Sequence, residues 1–333
     1  MSTPAYDFFR RELLERRRLL ETAREATGDP QLQDLLREID AALDRIADGS
    51  FGTCETCLGS IEPERLVCNP LLRYCLDDLN ESGRRELQRD LELAAHIQTT
   101  MLPERAARFG PWQTFFHFEP LGPVSGDYCD LIAIDGALYF LLGDAAGKGV
   151  AASMLMSQLH TLFRALTSLR LRPAELLARA NHVLCETNAT GRFATVVCGL
   201  ATNDGMVEIA SAGHCPAVLM RNSGVDLVES TGVPLGMFCE ASYASRQLLL
   251  GRGDGLLLYT DGMIEATDSK DCEYGTNRLL ELARRVKAFE PRDAVTACIA
   301  DVAAFRSSAA DDLTVMAIQL CAEVGAQKAT NVA

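Results

Sequence analysis

The 333-residue chain has no surplus of basic side chains: 46 acidic residues stand against 32 basic ones, a net charge of −14. A nucleic-acid binder presents positive charge to phosphate, so DNA and RNA are excluded as the main partners. No apolar run reaches the ~18–20 residues that span a bilayer, so no membrane helix is expected. The opening MSTPAYDFFRRELLERRR has no apolar core of a signal peptide, and the expectation is a cytoplasmic protein. Lysine is scarce: it supplies four of the 32 basic residues (148, 270, 287 and 328), which reads as genome composition. There is no internal repeat and no low-complexity segment. What is present is an ordinary globular balance, 48% apolar and 23% charged, which excludes wholesale disorder. At ~100–200 residues per domain the length suits two domains.

Residues 5–27 and 31–48 favour helix and are broken by Gly28-Asp29-Pro30. Leu32, Leu35, Leu36, Ile39, Leu43 and Ile46 recur near every 3.6 residues, so the pair reads as a helical hairpin that buries its stripe on its own partner. A third helix is expected over 79–102, where Leu87, Leu91, Ala94, Gln98 and Met101 form a thin heptad seam suited to a helix partner. From about residue 111 the texture changes. Strands are expected at 113–119, 127–134, 137–143, 193–201, 206–212, 216–220, 246–250, 255–260 and 313–320, with helices at 149–167, 173–188, 276–288 and 292–305. Sheets in the middle with helices outside make an α+β domain.

Twelve cysteines are present, and disulfides are not expected in a reducing compartment. Cys54-x-x-Cys57 is followed by 17 residues and Cys75-x-x-Asp78, a zinc-ligand spacing whose last position holds a carboxylate. Cys68 is the alternative fourth ligand. The other eight, Cys129, Cys185, Cys198, Cys215, Cys239, Cys272, Cys298 and Cys321, mostly fall at apolar positions and read as core residues. The stretch ALDRIADGSFGTCETCLGSIEPERLVCNPLLRYCLDDL is similar to the DksA/TraR-type zinc-finger family, over roughly residues 31–90. That resemblance implies one Zn²⁺ and, as a partner, RNA polymerase bound through an acidic hairpin tip. Here the tip around Thr27-Gly28-Asp29 is short and carries one acid.

The segment DYCDLIAIDGALYFLLGD (127–144) contains a two-residue turn signal, Asp135-Gly136. With that turn, Asp127 and Asp144 sit directly opposite each other on one face, beyond the apolar pairs Cys129/Leu142, Leu131/Phe140 and Ala133/Leu138. Two carboxylates about 5 Å apart repel, which points to a cation between them. Asp261-Gly262 closes the apolar run 256–260, and Asp311-Asp312 opens the run 313–318. Carboxylates at strand ends beside small residues suit oxygen-only coordination of Mg²⁺ or Mn²⁺. Gly143-x-x-x-Gly147-Lys148-Gly149 is one residue short of a P-loop and has no following Ser/Thr. Lys148 reads as a surface residue of a glycine-rich turn, and His214 as structural.

Seven motifs in order, VSGDY (124–128), GDAAGKG (143–149), FAT (193–195), SAGHCP (211–216), PLG (234–236), LYTDGMIEA (258–266) and DDLT (311–314), resemble the PPM-type serine/threonine phosphatase family, SpoIIE/RsbU branch. The likeness spans about residues 85–321 and includes the preceding helix ELAAHIQTTMLP. It implies two antiparallel sheets packed as a sandwich between helices, with two Mn²⁺ or Mg²⁺ ions at one end. It implies Asp127, Asp144, Asp261, Asp311 and the Ala145 carbonyl as their ligands, with Asp312 the alternative to Asp311. It further implies a water activated for in-line attack on phosphorus, and no protein nucleophile. Eukaryotic members carry a general-acid histidine where this chain has Ala146.

The expected architecture is a helical hairpin with a small zinc finger over 1–80, a linker helix over 81–104, a PPM-type β-sandwich over 105–322 and a tail over 323–333. The expected function is dephosphorylation of a phosphoserine or phosphothreonine regulatory protein of the anti-sigma-factor-antagonist type, controlled by the N-terminal module. Homodimerisation is expected through helix 79–102. The alternatives are an RNA-polymerase-associated transcription regulator with a secondary or inactive phosphatase domain, and a pseudophosphatase scaffold; the intact aspartate set argues against the scaffold.

Overall fold

The computed structural model describes residues 3–27, 30–76, 81–187, 192–286 and 289–321. The chain divides into two compact units, Met1–Asp90 and Leu91–Ala333.

Among the described residues the second unit holds eleven strands: β1 (Ala106–Phe109), β2 (Trp112–Glu119), β3 (Asp127–Ile134), β4 (Ala137–Ala145), β5 (Ala194–Thr202), β6 (Met206–Ala212), β7 (Ala217–Arg221), β8 (Gly224–Val228), β9 (Arg246–Leu249), β10 (Gly255–Tyr259) and β11 (Leu313–Leu320). They form a six-stranded sheet, β1-β2-β11-β10-β7-β8, and a five-stranded sheet, β3-β4-β5-β6-β9. Every strand pair is antiparallel. The β3–β4 hairpin has the expected register. Asp135 (φ 49°) and Gly136 (φ 79°) both take left-handed backbone, the geometry of a tight twisted turn, and the pairing runs from Ile134↔Ala137 out to Asp127↔Asp144.

Between the sheets lies an apolar core that includes Trp112, Phe116, Leu131, Phe140, Leu256 and Met316. Gly199 is required here: a Cβ at this position would sit 1.9 Å from Phe140 Cζ, so the ring occupies the space a side chain would need. The outer face of the five-stranded sheet is covered by α5 (Val150–Thr167) and α6 (Pro173–Thr187), through Leu155, Leu159, Phe163, Leu176 and Leu177. The outer face of the other sheet is covered by α8 (Gly275–Arg285) and α9 (Pro291–Phe305), through Leu279, Val295, Cys298 and Val302. Each such fully buried side chain stabilises the fold by about 1.5–3 kcal/mol. β11 is buried along its whole length, because both of its faces are covered; this is why its sequence, LTVMAIQL, is mostly apolar on both faces rather than alternating.

The edge strands β1 and β8 fall outside the expected set. Each is four or five residues long and alternates between exposed and half-buried positions over most of its length, so neither leaves an apolar run. The eight cysteines read as separate core residues also need correction. Cys185, on α6, is disulfide-bonded to Cys239, and Cys272 is exposed. The seam expected on α4 (Glu81–Met101) is corrected in part. Gln98 is buried within its own unit, and the large apolar side chains exposed on this helix are Leu93 and Ile97.

In the first unit, α1 (Thr3–Thr27) packs on α2 (Pro30–Asp48), with Arg17 Nε donating to Asp40 Oδ1 at 2.7 Å. The stripe of the hairpin is not closed by the two helices alone. Phe9, Leu13, Ile39 and Ala42 share a core with Phe51, Ile61 and Leu66 of the cysteine-rich segment, in which a short helix, α3 (Pro63–Cys68), is unforeseen by sequence. Gly28 and Asp29 of the expected tip, Asp78 of the expected zinc site and the tail beyond 321 lie outside the described residues.

Candidate active site

The β3–β4 register sets Asp127 and Asp144 face to face at the end of the hairpin. Pairing of β10 with β11, ending at Tyr259↔Val315, brings the segments that carry Asp261 and Asp311 together on the other sheet. One more step along that ladder, Thr260 N donates to Thr314 O at 3.0 Å. The hydroxyls of Thr260 (3.0 Å) and Thr314 both donate to Asp127 Oδ2, so two threonines of one sheet hold the carboxylate that arrives from the other. Oδ1 of Asp127 accepts no hydrogen bond among the described residues. Asp261 opens a one-turn helix, α7 (Asp261–Ile264), and there Gly262 is obligatory: a Cβ would meet Asp312 O at 2.0 Å. Gly126 is less tightly enclosed: a Cβ there would lie 3.1 Å from both Ala145 O and Ala152 Cβ.

The two acids at 311–312 part company. Asp312 is buried and each of its carboxylate oxygens accepts a backbone N–H, Oδ1 from Leu121 N at 2.6 Å and Oδ2 from Gly126 N at 2.8 Å. Asp311 Oδ1 accepts from Asp312 N at 2.9 Å, and Oδ2 meets Lys148 Nζ at 2.8 Å. Lys148 is therefore not a plain surface residue of its turn; it reaches into the acidic site, and Asp311 raises its pKa.

The electrostatics are those of carboxylates held together against their preference. Burial first, and then Asp144 and Asp312, push Asp127 well above the usual carboxylate range. Burial, and then Asp261, Asp311, Asp312 and Glu265, push Asp144 up to about 7. Burial and Asp311 raise Asp261. Glu265, at the end of α7, is raised by burial and by Asp261; it belongs to the LYTDGMIEA motif but was not among the expected ligands. These acids do not crowd one point: among the described residues, the only three possible metal-ligating side chains with atoms all within 4.8 Å of one another are cysteines. Hard oxygen donors that repel one another across a spread-out site fit divalent cations, and more readily two than one.

Behind Asp127 stands a second layer that the heptad reading missed. Gln98 on α4 exchanges two hydrogen bonds with the Ser125 backbone, Nε2 to O at 2.7 Å and Oε1 from N at 2.9 Å. Ser125 Oγ in turn accepts from Asp127 N at 3.0 Å. His214 is buried, its Nδ1 lies 2.9 Å from Thr195 Oγ1, and burial pushes it down to about 4, so it is neutral at pH 7 and structural.

The second candidate site lies in the first unit. The sulfurs of Cys54, Cys57 and Cys75 gather within 4.8 Å, with Cys57 Sγ and Cys75 Sγ 3.6 Å apart. Gly59 N points at Cys57 Sγ at 3.4 Å, a contact suited to a thiolate. Cys68, at the exposed end of α3, does not join the cluster.

Comparison with known proteins gives the same fold. The SiaA-PP2C domain of Pseudomonas aeruginosa superposes with a TM-score of 0.65 at 18% identity, covering 72% of this chain and 99% of that one. The phosphoserine phosphatase RsbP of Bacillus subtilis (strain 168) is 29% identical over 189 residues, 55% of this chain and 47% of the relative. The phosphoserine phosphatase RsbU of the same organism is 26% identical over 186 residues, 55% of each chain. The chain thus spans about half the length of these curated relatives. Residues 134–320 match the model of the family described as stage II sporulation protein E. That match takes in more than half of the 333 residues, from the β3–β4 turn to the end of β11, and the chain belongs to the SpoIIE family.

Proposed function

We propose that the second unit is a metal-dependent protein phosphatase acting on phosphoserine or phosphothreonine. One observation carries this reading: Asp127 and Asp144 face each other at the end of one sheet, and Asp261 and Asp311 are brought to them by the other. Asp127, Asp144, Asp261 and Asp311, with the Ala145 carbonyl, would hold two Mn²⁺ or Mg²⁺ ions. Asp311 is favoured over Asp312, because the backbone N–H groups of Leu121 and Gly126 already satisfy Asp312. When bound, such ions supply an activated water and offset charge on the phosphoryl oxygens. The chain's own part is to hold the carboxylates in place: Thr260 and Thr314 on Asp127, Ser125 beneath its backbone, Gln98 behind Ser125. Burial keeps His214 from serving as a proton donor at pH 7. The test is hydrolysis of a phosphoserine peptide by the purified chain, with Mn²⁺ and with EDTA. Turnover that EDTA abolishes is expected; no turnover with Mn²⁺, or turnover indifferent to EDTA, removes the reading. The family likeness further supports a phosphorylated regulatory protein of the anti-sigma-factor-antagonist type as substrate.

For the first unit we propose a structural Zn²⁺ held by Cys54, Cys57, Cys75 and Asp78, in a DksA/TraR-like module that controls the phosphatase. The gathered sulfurs and the N–H donated to Cys57 support it. Elemental analysis is expected to find about one zinc per chain, lost in Cys57→Ser together with several degrees of thermal stability. A folded wild-type chain without zinc would refute it.

Homodimerisation through α4 is retained as a proposal on a changed face. Gln98 serves its own unit, which leaves Leu93 and Ile97, exposed and one turn apart, for a second helix. Light scattering should show a dimer that Leu93→Glu/Ile97→Glu converts to monomer; a wild-type monomer at micromolar concentration ends the idea.

A further inference from the structure

Lys148 is the feature that the account of the ions leaves over. It lies between two glycines of positive φ, Gly147 (φ 99°) and Gly149 (φ 72°), in the short link 146–149 between the strand that carries Asp144 and α5. Its position is therefore set by the hairpin that builds the site. The ammonium has three N–H donors. One goes to Asp311 Oδ2 at 2.8 Å and one to Ala310 O at 2.6 Å, which leaves one. The side chain is 56% exposed, so that donor is open to an incoming group.

Charge counting says what the group is. Four aspartates are matched by two divalent ions, but Asp312 and Glu265 stay beside them, and both act on Asp144. A phosphoryl dianion entering this site meets uncompensated negative charge and needs a further cation that is not a carboxylate-bound ion. We propose that Lys148 is a substrate-binding residue that donates to a phosphoryl oxygen of the phosphoserine or phosphothreonine; this rests on the phosphatase reading above. Asp311 and Ala310 aim the ammonium, and the flanking glycines let the backbone carry it to the edge of the acidic site. The alternative role is a counter-ion for Asp311 alone.

Three variants, Lys148→Gln, Lys148→Met and Lys148→Arg, separate the two roles. Inorganic phosphate is titrated calorimetrically into the Mn²⁺-loaded chain, and Mn²⁺ into the metal-free chain. KM and kcat are measured on a phosphoserine peptide. The expected result is a loss on the order of 10- to 100-fold in phosphate affinity and in kcat/KM for Gln and Met, with Arg recovering most of both. Phosphate affinity within twofold of wild type in Lys148→Gln overturns the proposal, whether or not Mn²⁺ affinity changes; a change in Mn²⁺ affinity alone assigns Lys148 to Asp311. An inactive wild type would instead strike the phosphatase reading, so the two failures are told apart by the wild-type control.

Discussion

Asp261→Asn is expected to lower Mn²⁺-dependent kcat/KM on a phosphoserine peptide by at least about 100-fold while leaving the fold intact. Asparagine keeps the size of the side chain and its hydrogen-bonding oxygen but removes the charge. In the metal-free chain that charge is a burden: burial and Asp311 raise the Asp261 pKa, and Asp261 is the largest carboxylate contributor to the rise of Asp144. The sign follows from linkage. An acid whose folded pKa lies above its unfolded value binds protons better in the folded state, so metal-free stability falls as pH rises from the unfolded value toward the folded one. For Asp144 that window runs from about 4 to about 7. Removing the neighbouring charge narrows it. The metal-free variant should therefore melt at or above the wild-type temperature at pH 7, and Mn²⁺ should raise the melting temperature of the wild type more than that of the variant. Equal activity in wild type and variant, or a variant that is inactive only because it is unfolded, would count against Asp261 as a ligand.

Arg164→Met is expected to destabilise the second unit by about 3 kcal/mol, a drop of roughly 6–12 °C in melting temperature. Asp130 lies three residues beyond Asp127 on β3 and is fully buried. Arg164 on α5 meets it with two parallel bonds, Nε to Oδ2 at 2.9 Å and Nη2 to Oδ1 at 2.8 Å. Methionine keeps much of the apolar stem and deletes the charge, which leaves a buried carboxylate with only the Tyr128 hydroxyl and the Leu131 N–H as hydrogen-bond donors. His160 Nε2 lies 3.8 Å from Asp130 Oδ2, beyond hydrogen-bond distance. Arg164 is 47% exposed, so the lower end of the range for a broken buried pair applies. The pair itself is expected to add little, because both charges lose hydration when they meet. Asp130→Asn/Arg164→Met should then be more stable than Arg164→Met alone. A single variant that melts within about 1 °C of wild type, or a double variant no better than the single, would show that this pair does not hold β3 to α5.

Much of the second unit was legible because its signals are local. A two-residue turn at Asp135-Gly136 sets the whole β3–β4 register, and with it the confrontation of Asp127 and Asp144. The buried strands were readable from continuous apolar runs, and the edge strands β1 and β8 were not, since a strand that is half in water leaves no such run. Cys54, Cys57 and Cys75, which the spacing groups, also lie together in the fold. Spacing could not separate Cys185 and Cys239 from the core set, because their 54-residue separation says nothing about distance in space.

By itself, then, the sequence determined which carboxylates stand at strand ends, and which two of them must face each other, because a hairpin ties register to a few adjacent residues. Only the tertiary structure decided the rest. Asp312 is spent on the backbone of Leu121 and Gly126, Thr260 and Thr314 grip Asp127, Gln98 turns inward to Ser125, and Lys148 reaches Asp311. Most of these contacts join segments more than a hundred residues apart. They exist because two sheets close on one core and bring their ends together, and no periodicity along the chain carries that information.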